Sequence, residues 1–300
     1  MAVWVWVAIA AAAAQTIRGA LQKSLTGRLG NVGASLVRFT YAVPFAWLMV
    51  SSYMAISGQS LPRLTPGFLV WLSIAGLAQI TFTILLLTMF SHRSFAVGTA
   101  FSKTEVVQAA LFEALIIGYV VGVQVGIAIV IGVVAVVLLS LAKSQMTVGN
   151  LGRSLFTRQT AIGLASGAAL GFSTVAFRAA IDALEDGDML LRAGMAGAVV
   201  VVLQSLILGC WMWAKDRPAL IASFVEWRRG AMVGCAGAVC TACWFYAFVS
   251  HAVAPVRAVG QIELVFVLCI SFFYFRETPT KRELMAIALL IISIIMVLLG

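Results

Sequence analysis

The stretch AVAPVRAVGQIELVFVLCISFFYF, residues 252–275, decides the fold, because it is long and apolar enough to cross a bilayer yet carries Glu263 near its centre. About 20 apolar residues in helical conformation span the hydrocarbon core. A charged side chain at this depth costs about 2.5–3.5 kcal/mol on insertion scales and usually marks a functional site. A second such stretch, 95–117, carries Glu105 in the run KTEVV, which is similar to QIELV around Glu263.

The composition of the whole chain agrees with a membrane protein. Of its 300 residues, 62% are hydrophobic and 10% are charged, too few polar residues to cover a soluble domain. We therefore predict an all-α polytopic membrane protein with ten transmembrane helices. The predicted spans are 3–21, 36–56, 67–90, 95–117, 121–142, 159–181, 189–213, 229–249, 252–275 and 280–299.

The net charge of +9 is attributed to cytoplasmic loops and not to nucleic-acid binding. Loops after the odd-numbered spans hold most of the Lys and Arg residues, and such loops face the cytoplasm. Both termini are then expected on the non-cytoplasmic side of a bacterial inner membrane. The N-terminal residues lack a basic segment, so the first span is expected to be a retained helix and not a cleaved signal.

Two halves of the chain share landmarks at offsets of 154 to 160 residues. We predict a first five-helix repeat at 1–142, a cytoplasmic linker at 143–158 and a second repeat at 159–300. Because each repeat has an odd number of spans, the two are inverted, as in many alternating-access carriers. The paired landmarks are Arg18 with Arg178, Arg38 with Arg192, His92 with His251, and Glu105 with Glu263.

The run from Ala254 through QIELVF at 261–266, then FRE at 275–277, a polar turn and an apolar last helix, resembles the ten-helix, EamA-type members of the drug/metabolite transporter superfamily. LVRF at 36–39 also fits that pattern. The resemblance implies a carrier whose central cavity is lined by helices from both halves. The chain departs from the pattern at Tyr119, where the second half has Glu277, and in lacking a proline in the middle of the fourth and ninth spans.

Glu105 and Glu263 are the main candidates for substrate or proton binding. Each lies near the middle of its predicted span, on a helical stripe of small residues. A carboxylate in such surroundings can exchange protons near neutral pH, or it can pair with an amine of a substrate. The structural alternative is an interhelical ion pair, with Lys103 or Arg257 as the partner.

Other polar and aromatic side chains are expected to complete the site, although interhelical hydrogen bonds or core packing explain any one of them equally simply. These are Lys103, Gln108, Gln261, Gln15, Gln79, Trp244 and Tyr246. Arg18 and Arg178 end the first and sixth spans, where they either snorkel to the interface or gate the cavity mouth. Glu113 is expected to be interfacial and solvated.

No residue pattern predicts a catalytic centre, a metal site or a cofactor. The five cysteines lie in apolar segments, and Cys240 with Cys243 is interpreted as packing and not as a redox pair. The sequence contains no P-loop. Two runs of glycines at every fourth position, 163–171 and 118–126, predict close helix packing, and the fifth and tenth spans could form a homodimer seam.

The predicted function is secondary active transport of a small organic metabolite or drug, resembling an amino acid or amine. The carrier would alternate access and couple export to protons. Its expected partners are the lipid bilayer, a small-molecule substrate, protons and a second copy of the chain, with no nucleic acid. The alternatives are a scaffold subunit that transports nothing and an intramembrane enzyme.

Overall fold

The computed structural model describes residues 2–90, 104–144, 158–266, 269 and 280–299. Within these residues every regular element is a helix, and seven segments are long and apolar enough to cross a membrane. The prediction of an all-α polytopic membrane protein is therefore confirmed. The count of ten spans stays a prediction, since parts of the fourth and ninth spans lie outside the described residues.

Eleven helices occur in the described part of the chain. They are α1 Val3–Thr40, α2 Ala42–Ser57, α3 Pro66–Phe90, α4 Glu105–Ile116, α5 Val123–Ser144, α6 Arg158–Asp182, α7 Met189–Lys215, α8 Arg217–Val225, α9 Trp227–Ser250, α10 Val253–Gly260 and α11 Lys281–Leu299.

The predicted break between the first two spans is a kink inside α1. Gly30 has φ 66° and ψ −178°, a region that essentially only glycine adopts. Helical geometry then resumes until Thr40. Pro44, in the first turn of α2, lacks the N–H that would bond the Thr40 carbonyl, so the helix cannot continue unbroken.

Helix α8 was not predicted from the sequence, since 214–228 reads as a charged loop. Asp216 caps it by accepting a hydrogen bond from the Ala219 N–H at 3.2 Å, and Pro218 lies in its first turn. Helix α11 starts with a capping box, which the spacing of Thr280 and Glu283 predicts. The Glu283 carboxylate accepts from the Thr280 N–H at 2.7 Å, and the Glu283 N–H donates to Thr280 Oγ1 at 3.3 Å.

The chain divides into two compact units. Unit 1 comprises Met1–Ile80 and Ala176–His251, and unit 2 comprises Thr81–Val175 and Ala252–Gly300. In unit 1, α1 packs along α9, while α2 and α7 pack on both of them. In unit 2, α5 packs along α11, and α10 contacts α4, α5 and α11. Each unit takes segments from both predicted sequence repeats, and the repeat division itself stays a prediction.

Close helix contacts in unit 2 occur at two glycines. A Cβ atom on Gly132 would lie 2.6 Å from Ser293 Oγ of α11, and one on Gly171 would lie 2.9 Å from the Glu105 carbonyl oxygen. The run 163–171 thus contains a packing glycine, as predicted. The prediction for 118–126 stays a prediction, since no described heavy atom lies within 4 Å of the corresponding position on its three glycines.

Candidate functional site

An ion pair between Glu105 and Arg257 is the centre of the polar arrangement in unit 2. Arg257 Nη2 donates to Glu105 Oε1, and the two residues are 6% and 4% exposed. Glu105 is in the first turn of α4 and Arg257 in the last turn of α10, so each charge also complements its own helix dipole. Of the two partners considered for Glu105, the structure pairs it with Arg257. Lys103 lies outside the described residues.

Glu113 caps the N-terminus of α10. Its Oε1 accepts from the Val253 N–H at 2.7 Å and its Oε2 from the Ala254 N–H at 3.0 Å, and the residue is fully buried. The first N–H groups of a helix lack intrahelical acceptors, and a carboxylate satisfies them best. The expectation that Glu113 is solvated is wrong, because it ignored these donors. The missed signal is Ala252, a residue that offers no capping side chain at the start of α10.

The predicted ninth span is interrupted immediately before Glu263. The N–H groups of Gln261 and Ile262 bond carbonyls three residues back, at 3.2 and 3.1 Å, and a helical turn resumes at 263–266. Such local tightening inside a helix often marks a hinge. Glu263 is half-buried at this point. Gln261 is 3% exposed, and its Oε1 has no hydrogen-bond partner among the described residues.

Gln108 lies one turn after Glu105 on α4. Its Nε2 donates to Thr104 Oγ1 at 3.1 Å, while its buried Oε1 has no hydrogen-bond partner in the described part of the chain. Together with Gln261 it gives unit 2 two buried amide oxygens that could accept a hydrogen bond. Such unsatisfied acceptors lower the stability of a closed core, but they can accept a hydrogen bond from a ligand or a water molecule where one enters.

The predicted site residues of unit 1 form a separate set of contacts. Trp244 is 6% exposed, its Nε1 donates to Gln15 Oε1 at 3.0 Å, and its ring stacks on Phe248 with centroids 5.6 Å apart. Trp244 is therefore buried inside unit 1, and its role in substrate binding stays a prediction. Tyr246, on the same helix, is half-buried.

The two predicted gating arginines differ in their surroundings. Arg178 Nη1 donates to the His251 carbonyl oxygen at 2.6 Å, at the end of α9, and its Nε lies 3.5 Å from Asp182 Oδ2. Arg18 is only 8% exposed, and its Nη1 donates to Cys240 Sγ at 3.4 Å. Snorkelling of Arg18 is therefore wrong, because its guanidinium packs against α9 instead of reaching out of the protein.

Residues 159–299, which hold nearly all of α6 to α11 with Arg257 and Glu263, match the EamA-like transporter family. The match covers the second half of the chain. A solved crystal structure is similar to this chain with a TM-score of 0.74 over 99% of this chain and 96% of that chain. At 14% sequence identity, that match shows the fold alone. No curated protein matches the chain.

The family match and the apolar helices support an integral membrane transporter of the drug/metabolite type. Among the described residues, no three His, Cys, Asp or Glu side chains converge where a metal ion could bind. Cys240 is buried and unlinked, and its Sγ contacts the Ala11 carbonyl oxygen at 3.7 Å. This contact is the kind expected of a packing cysteine.

Gln204 is a polar residue of unit 1 that sequence reasoning missed. It is fully buried in unit 1, and its Nε2 donates to Gln79 Oε1 at 2.8 Å and to the Gly76 carbonyl oxygen at 3.1 Å. Gln79, predicted as a wall residue, thus takes part in an interhelical amide contact. A lone glutamine in an apolar run was the only signal, and it was given no weight.

Unit 1 also contains a cavity of about 330 Å³ bounded by α2, α7 and α9. Its walls are mainly apolar, with Ser52, Tyr53 and Thr241 as the polar contributions. None of the predicted substrate-binding or gating residues lines it. The buried charged residues and the apolar cavity are therefore different features.

Proposed function

We propose that this protein is a secondary active carrier of a small organic solute, an amino acid or an amine, that alternates access and couples export to proton movement. The observation that carries the proposal is the buried Glu105–Arg257 pair, at the end of α10 that precedes the interruption at 261–262. A buried pair of this kind is costly to maintain for stability alone.

The pair supplies a proton-sensitive contact on α10. A proton on Glu105 neutralises the carboxylate and leaves the Arg257 charge without its partner, which favours separation of the two side chains. Glu113 meanwhile holds the opposite end of α10 through the N–H groups of Val253 and Ala254. Helix α10 would then move as a short rigid body about the turn at 261–262, in the manner of a hinge.

Glu263 directly follows that turn and is the proposed second carboxylate for substrate or proton. Movement of the turn at 261–262 would change the surroundings of Glu263. Protonation of Glu105 and binding of a substrate or proton at Glu263 would therefore be linked. The proposed orientation, with both termini on the non-cytoplasmic side of a bacterial inner membrane, follows from the basic loops.

The test is flux into liposomes that hold the purified protein. Uptake of labelled amino acids and amines would be measured with and without an imposed pH gradient, for the wild type, Glu105→Gln, Glu263→Gln and Arg257→Gln. We expect gradient-driven flux in the wild type and flux that no longer responds to the gradient in Glu105→Gln. Glu185→Gln is the control, since Glu185 is exposed in the loop before α7.

Unchanged coupled flux in both Glu105→Gln and Glu263→Gln would refute proton coupling through these residues. Absence of flux for every solute from folded wild-type protein would instead favour the scaffold alternative. The melting temperature in detergent checks that each variant is folded before its flux is interpreted.

A further inference from the structure

Two arginines on either side of the Gly30 kink are buried in unit 1. The kink turns α1 back on itself, so that Gln22 Nε2 donates to the Ala34 carbonyl oxygen at 3.1 Å, across twelve residues of chain. Arg18 lies four residues before Gln22 and Arg38 four residues after Ala34, one helical turn from this contact on each side. Each arginine is only 8% exposed.

Helix α9 closes over both arginines. A Cβ atom on Gly237 would lie 3.6 Å from Arg18 Cδ and 3.6 Å from the Arg38 carbonyl oxygen. One turn further, Cys240 Sγ accepts from Arg18 Nη1 at 3.4 Å. Both arginines therefore lie against the same turn of α9. We call Arg18 and Arg38 the arginine pair.

The buried positive charge of Arg18, in the arginine pair, would be stabilised by an anion. A guanidinium stays protonated at any working pH, so burial cannot neutralise it. Arg18 Nε is buried without a hydrogen-bond partner, and the acceptor of its Nη1 is a thiol, which accepts weakly. No carboxylate of the described residues forms an ion pair with Arg18. Donor capacity and positive charge are therefore left over at Arg18.

We propose that the arginine pair binds an oxyanion, a carboxylate or phosphate, carried by the transported solute. The fork of N–H donors on a guanidinium matches two oxygens of such a group. Gln15 and Trp244, in contact with each other, lie on α1 and α9 one turn from Arg18 and from Cys240, where they would meet the remainder of the solute. This inference rests on the proposed function and narrows its substrate class to solutes with an anionic group, which excludes simple amines.

Binding is tested on the full chain in uncharged detergent by following the melting temperature. The probes are sodium succinate, inorganic phosphate and choline chloride, with sodium chloride holding the ionic strength constant. We expect a saturable rise with succinate or phosphate in the wild type and none with choline. Arg18→Gln should raise the apparent Kd about tenfold or more, since hydrogen bonds to charged groups are lost. Arg228→Gln, an exposed arginine at the start of α9, should leave the Kd unchanged.

Two further readouts separate binding from a structural role. Without any probe anion, Arg18→Gln should melt no lower than the wild type, because the variant lacks a buried positive charge that pairs with no carboxylate of the described residues. Arg18→Lys keeps the positive charge but lacks the two-pronged N–H donors of the guanidinium, so the anion should raise its melting temperature less than that of the wild type. This variant also tests the inference if Arg18→Gln does not fold. An equal anion response in the wild type and in Arg18→Lys or Arg18→Gln, or no response in the wild type, would overturn the inference.

The remaining measurements distinguish an oxyanion of the transported solute from that of a lipid headgroup. A rise in melting temperature with phosphatidylglycerol in nanodiscs, but with no soluble anion, would assign the arginine pair to a lipid headgroup and overturn its assignment to the solute. Gradient-driven flux of simple amines without anion binding would overturn this inference and leave the proposed function standing. Anion binding without flux of any solute would overturn the proposed function, and with it the identification of the bound anion as cargo.

Discussion

The carboxylate of Glu113 accepts a hydrogen bond from the Val253 N–H at 2.7 Å, so a charge on α4 holds the first turn of α10. Its other oxygen accepts from the next amide of that turn. The result is a helix N-terminus capped from another helix, 140 residues away in sequence. The position of α10, and of the ion pair at its far end, depends on this contact.

Glu113→Ala should therefore destabilise unit 2. Two backbone donors would lose their acceptor, at a cost of about 1–3 kcal/mol for each buried group left unsatisfied. Glu113→Gln keeps one acceptor oxygen and should lose less. The measurement is the melting temperature in detergent, with Glu185→Gln as the exposed control. A wild-type melting temperature in Glu113→Ala would show that the contact carries no stability.

The Glu105–Arg257 pair should show strong coupling in a double-mutant cycle. Arg257→Gln alone leaves a buried carboxylate without its partner, a loss of about 3–5 kcal/mol, whereas the double variant with Glu105→Gln removes both charges. The double variant should thus unfold at a higher denaturant concentration than Arg257→Gln. The comparison cycle is Arg28 with Glu226, an ion pair in which Arg28 is 61% exposed and the coupling should be below about 1 kcal/mol. Additive effects at Glu105 and Arg257 would contradict the pairing.

Gly30→Ala should destabilise the protein by about 1–3 kcal/mol, because alanine is strained at φ 66° and ψ −178°. Gly27→Ala provides a matched control three residues earlier. Neither glycine has a described heavy atom within 4 Å of the added methyl group, and of the two Gly30 alone has a positive φ. Chemical unfolding of the two variants side by side separates backbone strain from packing. Equal stability of the two variants would mean that the kink relaxes without cost.

Asp188 makes the stability of unit 1 depend on acid pH. Although partial burial opposes it, hydrogen bonds from Tyr53, the Leu191 N–H and Gln59 lower the pKa of Asp188. A lowered pKa means that the folded state binds this proton less readily than the unfolded state. The stability it contributes is therefore present above about pH 4, the usual pKa of an aspartate, and is lost as the pH falls through the lowered value.

Melting curves of the wild type and Asp188→Asn between pH 7 and pH 3 test this dependence. Asp188→Asn should remove part of the acid-induced loss while it keeps most of the helix cap, whereas Asp188→Ala should cost about 0.5–2 kcal/mol at neutral pH. Glu185→Gln, in the same loop, should follow the wild-type curve. If Asp188→Asn lost stability towards acid as steeply as the wild type, other carboxylates would be responsible.

The features that could be predicted are those that depend on residues close to one another in the sequence. Helices α6, α7 and α9 begin and end within two residues of the predicted spans, because length and hydropathy define a transmembrane segment. The capping box at Thr280 was readable because its two members are three residues apart. The Gly30 kink fell inside the predicted turn, although the helix that follows it was not foreseen.

The partners of the buried charges depend on distant residues, and the sequence left them open. Arg257 lies 152 residues from Glu105, and periodicity on α4 alone could not choose between it and Lys103. Glu113 was misassigned because its donors belong to a helix whose start is set by the break after His251. Arg18 was misassigned because its burial depends on α9, which covers it from the other half of the chain.

The contact between Arg18 and Cys240 also has a consequence for biosynthesis, since 222 residues separate the two. At about 5–20 residues per second, the ribosome needs roughly 10 to 45 s to supply α9 after α1 has emerged. During that interval α1 carries an arginine, a glutamine and a kink with no helix to cover them. The late synthesis of α9 therefore sets the earliest moment at which unit 1 can close.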